Sequence, residues 1–327
     1  MINPVIEWLL EEDNPSVRYL TLTSLLNRPL NDPEVESAKE AIMKEGVVPQ
    51  ILAEQNEDGS WGIPKKFYRD KYGGTVWNLL ILAELAADPD DQRIKKACEF
   101  ILQHSQEPMG GGFSIDESAK TGAGLASGVI PCLTGNMVYS LIKLGYLNDE
   151  RVRQAINWIV KYQRSDDGAV QAPEGDFYAR YEMCWGRHSC HMGVAKALKA
   201  LAAVPPDLRT SGQSQKIDEL CEYFLNHHIY KKSHNLNETA RPGWLRFGFP
   251  LMYQTDAVEL LDIFAGLQIR DSRLADAIEI VKGKRTKDGK WKMNNSFNGK
   301  TLVDIEKKGQ PSKWITLKAT RILNTYE

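Results

Sequence analysis

Apolar residues recur with the helix period along most of the chain. In four segments they stand at positions i, i+3, i+4 and i+7, which is typical of a helix with one buried face. These segments are residues 95–104, 152–163, 218–227 and 274–285. The first and third share their pattern residue for residue, and all four fit one frame in which Ala97, Ala155, Leu220 and Ala277 are equivalent. The sequence therefore predicts a repeated amphipathic helix.

A second kind of segment alternates with these helices and is apolar nearly all round, which is typical of a buried helix. Such segments are residues 75–87, 134–146, 190–204, 253–267 and 312–326. No sustained alternation of apolar and polar residues indicates strands. Each repeat is therefore predicted to be an outer amphipathic helix, a loop and a buried inner helix.

Together these hairpins predict an all-α fold, an (α/α) toroid or barrel of five to six helix hairpins with inner and outer helix rings. The N-terminal hairpin covers residues 4–28, and the repeats cover residues 33–87, 91–147, 149–204, 213–268 and 271–326. An open array would need polar capping repeats at both ends, and none is evident, so a closed ring is favoured. Residues 1–327 are predicted to form a single domain.

The turn after the first outer helix carries a recognisable motif. Residues 55–61 read Gln-Asn-Glu-Asp-Gly-Ser-Trp and resemble the QW motif of the terpenoid-cyclase and protein-prenyltransferase superfamily; weaker copies occur at residues 163–168 and 287–291. The whole chain is also similar to a poorly characterised group of prokaryotic prenyltransferase-like toroid proteins. The resemblance implies a squalene-cyclase-like α/α toroid whose central cavity acts on an isoprenoid or another apolar substrate.

Two features differ from that superfamily. In the triterpene cyclases of this superfamily, the catalytic acid lies in an Asp-x-Asp-Asp motif. The matching residues of this sequence, 88–91, lie just before an outer helix. Acidic residues at that point cap the helix and favour its dipole, so capping is the predicted role. Farnesyl and geranylgeranyl transferases also need a helical partner subunit, which this sequence does not contain, so the question of a partner subunit stays open.

The composition restricts the partners and the compartment. The 327 residues include 41 Lys and Arg against 43 Asp and Glu, a net charge of −2, which argues against nucleic acid as the partner. No run of ~20 apolar residues predicts a transmembrane segment. The five Cys are few for a chain of this length, and the first residues lack the basic start of a signal peptide. We expect reduced thiols and a cytoplasmic location.

His and Cys are concentrated in one part of the chain, residues 184–234. The densest group, Cys184, His188, Cys190 and His191, carries the thiol and imidazole ligands that zinc prefers, and predicts a Zn²⁺ site. The resemblance also implies zinc near inner-helix N-termini, with Cys190 in the family's Cys position, although His188 stands where the family has Asp. The alternative is that Cys190 is a small buried residue and that the His side chains bond loop backbone.

The N-termini of the inner helices are predicted to meet at one end of the ring. Their N–H groups and dipoles favour an anion such as diphosphate there, and aromatic faces can stabilise a cation. The predicted catalytic residues are Asp256, Tyr253 and His191. The predicted substrate-binding residues are Arg18, Trp77, Asn136, Tyr178, Arg180, Tyr181, Lys313 and Trp314.

Three functions remain open on the sequence. The first is a prenyltransferase- or cyclase-like enzyme, with or without zinc, whose ligand is a small apolar molecule or an isoprenoid diphosphate. The second is an enzyme resembling the α/α-barrel polysaccharide lyases and hydrolases, which predicts a broad polar cleft. The third is a binding scaffold without catalysis, since a fold does not fix a function.

Overall fold

The computed structural model describes residues 3–167, 182–186 and 188–327, and helices dominate this part of the chain, as the sequence predicts. The α-helices are α1 (Pro4–Leu9), α2 (Pro15–Ser24), α3 (Pro33–Lys44), α4 (Val47–Ala53), α5 (Thr75–Glu84), α6 (Gln92–His104), α7 (Pro131–Lys143), α8 (Glu150–Tyr162), α9 (Glu182–Trp185), α10 (His191–Ala202), α11 (Ser211–Asn226), α12 (Ala257–Gly266), α13 (Ala275–Gly283) and α14 (Lys313–Tyr326). None of the helices described here has the length and apolarity that crossing a membrane requires.

The helices that the sequence predicts as buried form the core. Every residue of α5 is buried, and α7, α10 and α12 are buried along most of their length. Their contacts form a series in which α5 packs against α7, α7 against α10, α10 against α12, α12 against α14, and α14 against α2. The Ser16 hydroxyl donates to the Leu85 carbonyl at 2.7 Å, which links the start of α2 to the residue after α5.

The amphipathic helices pack on the outside of this core, α6 on α5, α8 on α7, α11 on α10 and α13 on α12. The acidic residues before them act as caps. Asp91 accepts from the Arg93 N–H at 2.8 Å, and Asp149 accepts from the Arg151 N–H at 2.9 Å. The capping role predicted for residues 88–91 is therefore confirmed at Asp91, since a carboxylate there satisfies a free N–H of the first turn.

The turns between outer and inner helices repeat the same hydrogen bonds. The Trp61 N–H donates to the Thr75 hydroxyl at 3.1 Å, and the Trp291 N–H donates to the Thr316 hydroxyl at 3.0 Å. Both indoles also donate to a carbonyl ten residues earlier in the chain. The repeats seen in the sequence are therefore repeated in three dimensions, with each turn fixed to the first turn of its inner helix.

Gln55 and Gln106 show a further repeat that the sequence comparison missed. The Gln55 amide donates to the carbonyls of Gly59 and Arg93, both at 2.9 Å. The Gln106 amide makes the same two contacts in the next unit, to Gly111 at 3.1 Å and Arg151 at 2.6 Å. Each glutamine thus joins its own turn to the next outer helix.

A short hairpin between α11 and α12 was not predicted. Strand β1 (Lys231–Lys232) pairs antiparallel with β2 (Asn235–Thr239), with Lys231 opposite Thr239. The strands are too short and too polar to show an alternating pattern in the sequence.

Candidate functional site

A cavity of about 600 Å³ lies between the inner helices. Helices α5, α7 and α10 line it with residues from their C-terminal halves, and α2, α3, α12 and α14 contribute further residues. The charged lining residues are Lys39, Glu84, Lys143, Lys199, Glu259, Asp262, Lys318 and Arg321, and the aromatic ones are Tyr19, Tyr139 and Trp314. The size lies in the range of small-molecule sites, which is ~300–1,000 Å³.

The position of the cavity differs from the predicted mouth, because it lies at the other end of α5, α7, α10 and α12. At this end the helices and the loops after them carry Ala83, Ala86, Ala202, Ala203 and Gly266, whose small side chains leave space. At the N-terminal end, Tyr68, Tyr72 and Trp77 are buried and fill it.

A network of buried charges borders the cavity. The Lys196 ammonium, 0% exposed, donates to both Glu259 carboxylate oxygens at 2.8 and 2.7 Å. Lys199 donates to the same Glu259 at 2.8 Å and to Glu84, and its ammonium lies 4.3 Å from the centre of the Tyr139 ring. Two lysines and two glutamates from three helices therefore form one connected network.

The pKa values in this network follow from burial and pairing. Burial by itself would raise the pKa of Glu259, but the Lys196 and Lys199 ammonium groups outweigh it and lower that pKa to about 2. Burial likewise opposes the Lys199 and Lys318 charges at Glu84, and the lysines again lower the carboxyl pKa. Burial lowers the pKa of Lys196 to about 8, although Glu259 acts in the opposite direction. The carboxylates are therefore ionised at neutral pH.

Cations are in excess around the cavity. Arg321 faces Asp262 at 3.4 Å, and Lys318 faces Glu84 at 3.5 Å. Lys143, at the end of α7, is exposed, and its side chain makes no hydrogen bond or ion pair with any residue that the structure describes. Partial desolvation lowers the pKa of its ammonium. Five cationic and three acidic side chains line the cavity, so the wall favours a ligand with negative charge.

Sequence reasoning missed this charged set because it treated the inner helices as uniformly apolar. A usable signal is present, since three of them carry charged pairs three residues apart: Lys196 with Lys199, Glu259 with Asp262, and Lys318 with Arg321. Residues at i and i+3 share one helix face, so each pair marks a polar stripe on a buried helix. Such charges are rarely buried without partners.

Two of the residues predicted at the mouth lie close together. The rings of Trp77 and Tyr253 are 6.3 Å apart, centre to centre. Asn136 is buried, and its amide donates to the carbonyl of Met252, next to Tyr253, at 3.0 Å. The start of α5, the start of α7 and the loop before α12 therefore converge.

Asp256 lies beside this group as the cap of α12. Its carboxylate is 1% exposed and accepts from the N–H groups of Glu259 at 2.8 Å and Gly248 at 2.9 Å. Burial raises the pKa of this carboxyl to about 6, against the effect of the two N–H donors. These contacts are those of a helix cap whose charge is poorly solvated.

The remaining substrate-binding predictions fall in different places. Trp314 is buried, stacks on Phe249 with ring centres 3.9 Å apart, and lines the cavity. Lys313 pairs with Glu11 at 2.8 Å and with Asp13. Arg18 pairs with Glu12 at 2.9 Å. Tyr178, Arg180 and Tyr181 lie outside the described residues.

The four predicted metal ligands lie in different surroundings. Cys184 lies beside Cys190, and the proximity of its thiol lowers the Cys190 pKa. His188 is exposed, whereas the His191 ring stacks on Trp244 with centres 3.5 Å apart. Burial lowers the His191 pKa well below its usual value. Within the described ranges, no group of three or more His, Cys, Asp or Glu side chains is arranged to hold a metal ion.

Comparison with known proteins gives similarity at the level of structure. No protein-family model matches the sequence, and no curated protein matches it. A crystal structure of a protein from Actinoplanes aligns with 13% identity over 95% of this chain and 89% of that chain, with a TM-score of 0.44.

The structural neighbours also include the type II terpene cyclase MstE from Scytonema. A variant of it in complex with geranylgeranyl dihydroxybenzoate aligns with 13% identity over 96% of this chain and 86% of that chain, at a TM-score of 0.44. A variant in complex with merosterolic acid A aligns with 14% identity over 99% of both chains, at 0.43. At this identity and these TM-scores, the similarities establish neither a family nor an activity.

Proposed function

We propose that the inner helices close into a ring and that the cavity between them binds a small molecule with an anionic group. The series of contacts from α5 through α14 to α2, and the Ser16–Leu85 hydrogen bond, support a closed ring. The excess of cations around the cavity, above all Lys143, supports the anionic ligand.

The physical argument rests on the sign of the charges that line the cavity. Lys143 is exposed and has no ion-pair partner among the described residues, so its ammonium is accessible to a ligand. Glu84 and Glu259 are hydrogen-bonded to other lysines, and Glu84 and Asp262 act on Lys143 only through longer-range attraction. An anion in the cavity would face Lys143, Lys318 and Arg321 together, and such charge-assisted contacts are among the strongest hydrogen bonds in proteins.

An isoprenoid diphosphate is the ligand that we propose, in agreement with the QW-like turn. Its diphosphate would meet the cations, and its hydrocarbon chain would lie against Leu20, Ile263, Trp314 and Leu317 of the cavity wall. Cations placed around a diphosphate also stabilise the charge that develops when it leaves, so the same arrangement suits a prenyltransferase- or cyclase-like reaction. A wholly apolar substrate would gain no attraction from these cations.

Titration calorimetry tests this proposal with three probes: farnesyl diphosphate, inorganic diphosphate and the uncharged alcohol farnesol. We expect farnesyl diphosphate to bind more tightly than inorganic diphosphate, and farnesol to bind weakest. Lys143→Met should weaken both anions about tenfold or more. The control is Lys44→Met, which removes an exposed lysine paired with Glu40 on α3 and should leave binding unchanged.

The outcomes separate the parts of the proposal. Equal binding by the Lys143→Met and Lys44→Met proteins, or no binding of either anion, would overturn the anionic site. Binding of inorganic diphosphate without any gain from the farnesyl chain would keep the anion site and reject the isoprenoid. Release of diphosphate from farnesyl diphosphate by the wild-type protein would show catalysis, and its absence would leave a binding protein.

The zinc-dependent form of this function is proposed on the sequence cluster of Cys184, His188, Cys190 and His191. A zinc ion held there would lie near the N-terminus of α10, at the other end of that helix from the cavity-lining residue Lys199. The zinc site and the anion-binding cavity are therefore separate hypotheses, and each has its own test.

A further inference from the structure

Three aromatic rings surround the ammonium of Lys71 near the N-terminus of α5. The Nζ atom lies 5.0 Å from the ring centre of Tyr68, 4.7 Å from that of Tyr253 and 5.9 Å from that of Trp77. All three distances are within the ~6 Å at which a cation and a ring face attract each other. We refer to Tyr68, Trp77 and Tyr253 as the aromatic cage.

The cage is held in place by the surrounding structure. Trp77 is 0% exposed, and its indole N–H donates to the Tyr68 carbonyl at 2.9 Å. The rings of Tyr68 and Tyr72 each lie 5.1 Å from Trp77, centre to centre. The Tyr72 hydroxyl accepts from the Gln254 amide at 3.2 Å, which ties the loop before α12 to the loop before α5. Two walls of the cage are therefore buried and preformed.

The Lys71 ammonium fits this cage loosely. Its side chain is exposed, and it makes no ion pair with any residue in the described ranges. Non-bonded carbon atoms in contact are ~3.5–4.0 Å apart. With the nitrogen 4.7 to 5.0 Å from two ring centres, a methyl group ~1.5 Å from the nitrogen would be in direct contact with each ring. The spacing suits a methylated nitrogen better than a bare ammonium.

We propose that the aromatic cage binds a small quaternary ammonium compound, and that Lys71 occupies the cage when this ligand is absent. A primary ammonium is strongly hydrated and gains little from leaving water, whereas aromatic cages are suited to quaternary ammonium groups. The exposed Lys71 side chain can move into solvent without breaking an ion pair to a described residue. The cage and the cationic cavity lie at opposite ends of α5, so this site is independent of the anion site proposed above.

Tetramethylammonium and choline are the probes, titrated into the protein and followed by calorimetry. We expect both to bind, and we expect 3,3-dimethylbutanol, the neutral carbon analogue of choline, to bind more weakly. Lys71→Ala removes the competing ammonium and should tighten choline binding about two- to fivefold, the strength of an exposed cation–π contact.

A matched pair of variants tests the ring faces. Tyr253→Phe keeps the ring and should keep binding, whereas Tyr253→Leu removes one face and should weaken it. The proposal fails if Lys71→Ala does not bind tetramethylammonium, or if the neutral analogue binds as tightly as choline, which would indicate an apolar pocket only. Circular dichroism of each variant confirms that a loss of binding is not a loss of fold. Diphosphate binding should be the same in all of these variants, which separates this site from the cavity.

Discussion

The ammonium of Lys196 donates to both carboxylate oxygens of Glu259, at 2.8 and 2.7 Å, and both side chains are buried. Helices α10 and α12 are therefore joined by a buried ion pair. Such pairs do not add much stability by comparison with apolar residues, but removal of one partner leaves an uncompensated charge.

Substitution of one partner of this pair should be strongly destabilising. Lys196→Met leaves Glu259 with Lys199 alone, and we expect the free energy of unfolding to fall by about 3–5 kcal/mol. The double variant Lys196→Met with Glu259→Met should recover much of that loss, because no unpaired charge remains at this position. Denaturant unfolding of the wild-type protein, Lys196→Met and the double variant measures these differences, with Lys44→Met as the exposed control. A double variant less stable than Lys196→Met would contradict the argument.

The hydrogen bond from the turn tryptophan to the threonine of the inner helix should contribute equally to stability in two repeats. Thr75→Val removes the hydroxyl that accepts from the Trp61 N–H and leaves that buried donor without a partner. We expect a loss of about 1–3 kcal/mol in unfolding free energy, and a similar loss for Thr316→Val at the equivalent turn. Thr75→Ser keeps the acceptor and should lose less. Equal losses for serine and valine would mean that methyl packing, not the hydrogen bond, is decisive.

Asp256 should make stability depend on pH between about 4 and 6. Its pKa is about 6 in the folded protein against 3.8 as the ordinary value, so the folded state holds an extra proton in this range. The stability that it contributes is therefore complete below the ordinary value and is lost as pH rises through 6. As pH rises over this range, the free energy of unfolding of Asp256→Asn should increase by about 3 kcal/mol relative to that of the wild-type protein.

Asp91 provides the control for this pH effect, because Arg93 lowers the pKa of that capping carboxyl. The stability that Asp91 contributes is present above its ordinary pKa and is lost as pH falls. The free energy of unfolding of Asp91→Asn, relative to wild type, should therefore decrease as pH rises, which is the opposite of Asp256→Asn. Unfolding free energies measured from about pH 2 to pH 7 compare the two, because the Asp91 effect falls mainly below its ordinary pKa of 3.8. Parallel pH profiles for both variants would refute the assignment.

Anion binding should weaken at alkaline pH if Lys143 holds the ligand. Partial desolvation lowers the pKa of this ammonium, so its charge is lost at a lower pH than that of an ordinary lysine. Lys143→Arg stays charged and should bind diphosphate with a flatter pH profile. The diphosphate itself also titrates, but this affects both proteins equally. The ratio of the wild-type binding constant to that of Lys143→Arg therefore reports on the side chain alone. A ratio that does not change with pH would exclude Lys143 as a ligand contact.

The zinc hypothesis predicts about one zinc ion per chain in protein purified without chelators. Cys190→Ser should lose this metal, whereas Cys221→Ser, at a buried thiol of α11, should retain it. Elemental analysis of the three proteins decides the question. A metal-free wild-type protein would contradict the hypothesis.

Much of the helical pattern was predictable, because helix periodicity is a local property of the chain. The predicted inner segment 75–87 is helical at Thr75–Glu84, and the segment 190–204 is helical at His191–Ala202. Capping by Asp91 was predictable for the same reason, since it involves residues adjacent in sequence. The hairpin of β1 and β2 is too short to leave such a signal.

The charged cavity was not predictable from the pattern, because its pairs join distant segments. Lys199 and Glu84 are 115 residues apart in the chain, and only the arrangement of α5 and α10 around the cavity brings them together. The sequence shows each charge within an apolar helix, but it does not show which charges neutralise one another.

The sequence by itself determined the repeat of outer and inner helices, since side-chain hydrophobicity decides which face of a helix is buried. The tertiary structure decided which end of those helices is open. Large aromatic residues such as Trp77 fill one end, small residues such as Ala83 leave space at the other, and the volume that remains depends on all the helices at once. For that reason the site with excess positive charge is visible only when the helices are packed together.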